Sequence, residues 1–286
     1  MDEFELIRRY FDRRCIVAGV EIGIGDDGAV LVPDPLKHQV QVIDTLVEGV
    51  HFPPDTGPAD IAYRAVAVNL SDIAAMGATP RWMTLALTLS NASEPWVELF
   101  AAGLFDAADS HELALVGGDT TRGPIVTVTV AITGEIEIGA ALLRSGAKAG
   151  DAIFVTGTVG DAAAGLQLLQ HHETDEFLVQ RFLRPTPRVA TGRSLVGRAN
   201  AAIDISDGLL GDLKKLLSAS GVGGEIDIGK VPISDALREK FDLTDQRRFA
   251  MTGGDDYELC FTADASKVTT ISGITQIGTV CGSAGL

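Results

Sequence analysis

Residues 113–132 read LALVGGDTTRGPIVTVTVAI. Ile125–Ile132 is a clean period-two run, the pattern of a strand with one buried face. Leu113–Val116 is a short apolar run that reads as a second strand. Between them, Gly117 and Gly118 allow a close backbone approach, and Asp119 follows where the first strand is expected to end. Towards the N-terminus, Glu94–Ser110 is an amphipathic helix opening on Glu-Pro. Trp82–Leu89 alternates again, and Asp60–Met76 is an Ala-rich helix stopped by Gly77 and Pro80. Gln39–Thr45 and Ala29–Val32 are short strands. The order β-β-α-β-α-β-β is that of a split βαβ, ferredoxin-like sheet with an added strand.

Towards the C-terminus the composition breaks near Gly139–Asp151 and a second α/β set begins. Ala152–Thr156 reads as a buried strand and Gly160–His172 as a helix, with two helical stretches flanking Arg184-Pro185-Thr186-Pro187. Ala201–Ile205 is a strand feeding the helix Asp207–Ser218. Glu225–Ile228 and Glu258–Thr262 are strands, and Ala265–Ile271 is a last helix. The expectation is an α/β (α+β) chain: an N-terminal ferredoxin-like βαβ domain over 1–138, then a second α/β domain over 139–286 with a short C-terminus.

Composition narrows the function. A chain of 286 residues with 46% apolar and 22% charged residues is globular and long enough to bury a core. Its net charge is −16, from 23 Lys+Arg against 39 Asp+Glu, and its basic residues come at most in pairs such as Arg8-Arg9 and Lys214-Lys215. Such a surface repels nucleic acid and anionic membranes, so neither is an expected partner. No apolar run approaches the ~18–20 residues of a membrane span. The start, MDEFELIRRYF, is acidic and amphipathic, unlike a signal peptide. Cys15, Cys260 and Cys281 are too few and too dispersed for a disulfide framework or a Cys-rich zinc site. A cytoplasmic protein is expected.

Two tempting motifs fail on context. Gly23–Gly28 matches GxGxxG, but a strand follows instead of a helix, and Asp26 and Asp27 carry the wrong charge for a pyrophosphate. Gly224–Lys230 nearly matches a P-loop, yet Val231 stands where a Ser or Thr must hold magnesium. What remains is a distributed set of acids. Asp26-Asp27 lies in a Gly-flanked turn, Asp44 and Asp119 are read at strand ends, and Asp72 sits in the Ala-rich helix. Asp204 ends a strand, Asp207 opens the next helix, and Asp255-Asp256 follows Gly253-Gly254. Singly, each suits a turn or a helix cap. Gathered at the carboxyl ends of strands, they would repel one another unless cations lay between them. Oxygen-only ligands favour Mg²⁺, and several Mg²⁺ imply a polyphosphate. Gly157–Asp161 can present helix N-terminal N–H groups to a phosphate, or serve as a plain strand–helix connection. Arg122, Arg144 and Lys148 can neutralise phosphate charge, and His51 can hydrogen-bond an anion.

The ordered blocks IGIGDDGAVL (22–31), DTLVEGVHF (44–52), AVAVNLSDIAAMGATP (65–80), VGGDTTRGP (116–124), RSGAKAGD (144–151), VTGTVGDAAAGL (155–166), AIDISDGLLGDL (202–213) and TGGDDYELCF (252–261) resemble the thiamine-monophosphate kinase family. That family sits in a superfamily with aminoimidazole ribonucleotide synthetase and selenophosphate synthetase. The resemblance implies transfer of the ATP γ-phosphoryl group to thiamine monophosphate, giving thiamine pyrophosphate and ADP. It implies several Mg²⁺ ions, ATP as co-substrate and a homodimer assembled through the N-terminal domain, which would bind ATP and Mg²⁺. By the same resemblance, Asp27, Asp44, Asp72, Asp119, Asp204 and Asp207 are metal ligands. Gly118, Asp119, Arg144 and Ser206 contact ATP, and His51 and Asp255 contact the substrate. Direct transfer with no enzyme nucleophile is expected, and because the acceptor is already a phosphate, largely ionised near neutral pH, no strong general base is needed.

Three departures qualify this. Val42-Ile43 stands where the family usually has Ser/Thr, which should alter metal affinity. The chain ends at Leu286, short of the family's usual aromatic that packs on thiamine. Asp255 replaces the common Glu. Ile43 and the short C-terminus favour the alternative reading, an inactive, truncated paralogue acting as a dimeric nucleotide- or metal-binding module. A superfamily enzyme activating an amide oxygen or selenide is the other rival. The selenide enzyme would need a Cys in an N-terminal Gly-rich loop, where Cys15 does not lie.

Overall fold

The computed structural model describes residues 3–13, 18–90, 93–282 and 285, so Cys15 lies outside the described residues. Contacts divide the chain into two compact units, Met1–Ile73 with Thr79–Ile138, and Ala74–Ala78 with Gly139–Leu286.

The first unit contains α1 (Glu3–Tyr10), β1 (Val20–Ile22), β2 (Val30–Leu31), β3 (Lys37–Val47) and most of α2 (Pro58–Ala75). It continues with β4 (Thr79–Leu89), α3 (Glu94–Asp109), β5 (Ala114–Arg122) and β6 (Thr127–Glu137). β1 and β2 form a small antiparallel ladder. The main sheet has the order β3-β6-β4-β5, with β6 antiparallel to β3 and β4, and β4 parallel to β5. The unit β3-α2-β4 is therefore a split βαβ with β6 inserted, as the sequence pattern predicts. The second crossover, β4-α3-β5, joins adjacent strands. Both crossovers step the same way along the sheet, so their usual right-handedness puts α2 and α3 on one face. The apolar alternation of β6 marks a buried face, with Val128, Val130 and Ile132 fully covered.

Helix α3 shows why these segments fold locally. Ser93 caps it, its Oγ accepting the Trp96 N–H at 3.4 Å, and Pro95 occupies the first turn. Val97, Phe100, Leu104 and Phe105 recur at helical spacing and are buried. Each such side chain contributes about 1.5–3 kcal/mol of burial free energy.

Two expected strand ends move. Asp44 pairs with Val130 inside β3, and Asp119 pairs with Ala86 inside β5, three residues short of Arg122. Ladders are built by backbone groups, so a carboxylate that leaves the sheet plane does not end them.

The second unit contains β7 (Ala152–Thr156), α4 (Asp161–Gln170), α5 (Glu176–Leu183), α6 (Val189–Leu195), β8 (Ala199–Asp204) and α7 (Leu209–Ser220). It ends with β9 (Gly223–Ile226), α8 (Asp235–Lys240), α9 (Leu243–Thr252), β10 (Leu259–Ala263) and β11 (Ile274–Cys281). Its sheet has the order β8-β10-β7-β11-β9, antiparallel at every pairing. The central strands β7 and β10 are buried at every residue, covered on both faces. Leu209, Leu213, Leu216 and Leu217 of α7 pack with Ile153, Ile203 and Cys260 of the strands. Ala164, Leu168, Leu178, Leu237 and Phe249 tie α4, α5, α8 and α9 together.

The predicted last helix shrinks to one 3₁₀ turn, Ala265–Lys267, capped by Asp264. Helices α8 and α9 and strand β11 escape the periodicity reading. Their start signals are caps: Ser234 Oγ accepts the Leu237 N–H, and Asp242 Oδ1 accepts the N–H groups of Thr244 and Asp245. Among the described residues, no helix is long and apolar enough to cross a membrane.

Candidate functional site

In the first unit, α1, the segment 24–29, Leu85 of β4 and residues 115–120 of β5 enclose a cavity of about 730 Å³. Asp27, Gly118 and Asp119 line it together, so the structure gathers three of the expected site residues in one place. The sequence rationale for the two glycines narrows to one. A Cβ on Gly118 would stand 2.0 Å from the Leu85 carbonyl oxygen, whereas Gly117 has open space. Gly118 therefore lets β5 lie against β4 while its backbone faces the cavity. Gly118→Ala should destabilise the protein by about 3 kcal/mol through overpacking against backbone. Thermal unfolding checks this, and an unchanged midpoint would refute the close approach.

The cavity is electrostatically lopsided. Among the described residues, five carboxylates (Glu5, Asp12, Asp26, Asp27 and Asp119) line it against one cation, Arg8. Asp27 and Asp119 are exposed, and no basic side chain pairs with either among the described residues. Arg8 was not foreseen. It sits on α1, whose Ile7 also lines the cavity together with Phe11 just beyond the helix, and the amphipathic spacing of EFELIRRYF is the signal that could have found it.

Asp44 and His51 form a second locus in the same unit. Burial raises the Asp44 carboxyl above its ordinary value, and the nearby His51 pulls it back down. The His51 Nδ1 accepts the Val47 N–H at 3.1 Å. A ring that accepts at Nδ1 has its N–H at Nε2, which remains to donate to an anion. Asp72 lies half-buried within α2 and lines neither cavity.

In the second unit, Asp204, Ser206 and Asp207 occupy the β8–α7 turn. Asp204 closes β8, paired with Leu259. The buried Asp212 accepts the N–H groups of Ser206 and Asp207 on Oδ2, at 3.0 and 2.9 Å. Lys215 bridges Asp207 Oδ2 at 2.5 Å and Asp212 Oδ1 at 2.8 Å. Asp255 reaches this turn through its backbone, its N–H donating to the Ser206 carbonyl at 2.9 Å. Asp255 also borders a crevice of about 230 Å³ beside Arg248 and Gln167. Arg144 is exposed in the connection, its carbonyl accepting Ser220 Oγ.

The Gly157–Asp161 turn does not offer the phosphate-ready N–H groups read from its sequence. Asp256 Oδ2 accepts the Gly160 N–H at 2.6 Å, and Oδ1 accepts the Ala162 N–H at 3.2 Å. Beside it lies a buried ionic knot that sequence reasoning missed. Glu258 is clamped by Arg188, whose Nε and Nη2 donate at 2.6 Å each, by Arg181 at 2.9 Å, and by Thr156 Oγ1 at 2.5 Å.

Burial pushes the Asp256 carboxyl up to about 8, against the pull of the Gly160 N–H, the Arg181 charge and the Ala162 N–H. Asp161 is raised as well, again by burial, although Ser234, Thr158 and Arg181 lower it and Glu258 adds to the rise. An unfolded aspartate titrates near ~3.9. Above that pH the folded chain binds more protons than the unfolded one, so unfolding releases protons and stability falls as pH rises. For Asp256 this contribution is complete at the acid end and lost on approaching about 8. The urea midpoint of the parent should therefore drop more steeply between about pH 5 and 8 than that of Asp256→Asn. Parallel profiles would contradict the assignment.

The oxygen-only donor set suits Mg²⁺, which takes one or two carboxylates and completes its shell with phosphate oxygens and water. Asp27 and Asp119 supply that number at the cavity.

Residues 25–136 match the model of the AIR synthase related protein N-terminal domain, and residues 148–285 match the corresponding C-terminal domain. The thiamine-monophosphate kinase of Salmonella typhimurium is 53% identical over 268 residues, covering 91% of this chain and 82% of that protein. The crystal structure of thiamine-monophosphate kinase from Stenotrophomonas maltophilia K279a has a TM-score of 0.90 at 44% identity, covering 99% of this chain and 93% of that one. AaThiL complexed with AMPPCP and TMP has a TM-score of 0.84 at 34% identity, over 99% of this chain and 91% of that one.

Proposed function

The chain belongs to the thiamine-monophosphate kinase family of AIR synthase related proteins, and on that premise we propose that it transfers the γ-phosphoryl group of ATP to thiamine monophosphate, directly and in line, with several Mg²⁺ ions. The observation that carries the metal-dependent reading is the cavity, lined among the described residues by five carboxylates against one arginine. Such a surface accepts a polyphosphate only when divalent cations stand between the two sets of negative charge.

In this reading Asp27 and Asp119 hold Mg²⁺ at the cavity, with Asp44, Asp72 and Asp204 as further ligands. Asp207 shares one oxygen with Lys215 and offers the other to an ion. When bound, Mg²⁺ supplies the positive charge that lets two phosphates approach. Gly118 brings the backbone up to the nucleotide, and Arg8 adds a cation to the same cavity. Ser206 and Arg144 orient ATP. His51 donates from Nε2 to the acceptor phosphate, and Asp255 contacts the substrate. The acceptor phosphate is already largely ionised near neutral pH, its second pKa being about 6, so no strong general base is required. The barrier lies in aligning two anions, and positioning with fixed charge lowers it.

The exposed apolar side chains of the first unit, among them Ile43 at 67% on the edge strand β3, support a homodimer formed through this unit. We place the protein in the cytoplasm. The test is ATP-dependent conversion of thiamine monophosphate in excess Mg²⁺, with thiamine pyrophosphate and ADP expected in equal amounts. ATP binding without either product would instead assign the inactive binding module.

A further inference from the structure

Between α9 and β10 the backbone twice enters the left-handed region at residues other than glycine, Asp255 at φ 70° and Tyr257 at φ 52°. Such conformations cost about 1–3 kcal/mol each and persist only where the surroundings fix them. Here two fully buried acids do so, one after each strained residue. Asp256 holds the Gly160 and Ala162 N–H groups at the start of α4. Glu258 is held by Arg181, Arg188 and Thr156. The strained residues themselves reach the opposite way. The Asp255 N–H donates to the Ser206 carbonyl and the Tyr257 N–H to the Ile205 carbonyl, both at 2.9 Å. Gly254 lies so close that a Cβ there would stand 2.5 Å from the Ser206 carbonyl oxygen.

We infer that Asp256 is a positioning residue: its carboxyl group ties the first turn of α4 to residues 253–257 and thereby sets Asp255 beside Ser206. The inference rests on the functional reading above, in which Asp255 contacts the substrate and Ser206 the nucleotide. Asp256 touches neither ligand in that reading. Its two oxygens consume the N–H groups that an N-terminal helix turn would otherwise direct at a phosphate. They spend that capacity on spacing the two contacts. Loss of the tie frees a strained segment to relax, and ligand affinity falls with the spacing.

The test is steady-state kinetics in both substrates for Asp256→Ala, which removes both acceptors, and Asp256→Asn, which keeps one. KM for thiamine monophosphate and for ATP should rise at least about tenfold in the alanine variant and about threefold in the asparagine variant, with kcat within about threefold of the parent. A residue that only holds the fold would lower the unfolding midpoint and the active fraction, so kcat would fall while both KM values stayed parental. That result overturns the proposal. Should the alanine variant fail to fold, the asparagine variant decides by the same split. A parent that does not convert thiamine monophosphate rejects the functional reading and this inference with it. An active parent with parental KM in the folded variants rejects the positioning role alone.

Discussion

Asp119→Asn should lower kcat by about 10²–10³-fold at saturating Mg²⁺, the loss typical of removing one group that stabilises transferring charge. The substitution takes away a negative charge and leaves the shape. Asp119 is exposed at the cavity and has no ion-pair partner among the described residues, so nothing structural depends on its charge. Stability should therefore change by no more than about 0.5 kcal/mol, as for surface substitutions generally. The pairing of results is the informative part. A large fall in kcat with an unchanged unfolding midpoint places Asp119 in the reaction. Parental turnover would remove it from the metal set and weaken the reading of the whole cavity.

The second large effect is on stability. Glu258→Ala should destabilise the protein by about 3–5 kcal/mol, because it leaves the Arg181 and Arg188 charges without their buried partner. Glu258 is fully buried, and its two arginine partners donate to it at 2.6 to 2.9 Å. The Arg248–Asp245 pair is also 2.9 Å long but lies on the surface, with side chains 52% and 39% exposed. Asp245→Ala should accordingly cost no more than about 1 kcal/mol. Denaturant unfolding of both variants checks the contrast. Equal losses would mean that burial does not govern the strength of these pairs.

Asp119 and Glu258 differ in how far the sequence alone reveals them. Gly118 and Asp119 were readable because their motif is local: a glycine that admits a backbone and the acid that follows it fall within one strand. The first unit's sheet-and-helix order was readable because alternation in Ile125–Ile132 and helical spacing in Glu94–Ser110 are strong periodic signals. Glu258 was not readable as an ionic centre. Its partners Arg188, Arg181 and Thr156 lie 70, 77 and 102 positions away, and only the folded sheet brings them together. Glu258 at the head of an apolar strand was the single local hint. The Gly157–Asp161 turn failed for the same reason, since Asp256, which occupies its N–H groups, lies 96 positions beyond Gly160. Helix α9 escaped because its only buried residues, Phe249, Ala250 and Met251, are consecutive and so make no helical-period apolar stripe.

In the proposed reaction this site moves a phosphoryl group straight from one phosphate to another, by placing charges and without an enzyme nucleophile. The stereochemistry of the transferred group tests it most directly, using ATP made chiral at the γ-phosphorus with oxygen isotopes and sulfur. Direct in-line transfer predicts inversion of configuration in the thiamine pyrophosphate formed. Retention would require a phosphorylated enzyme intermediate and would contradict the claim.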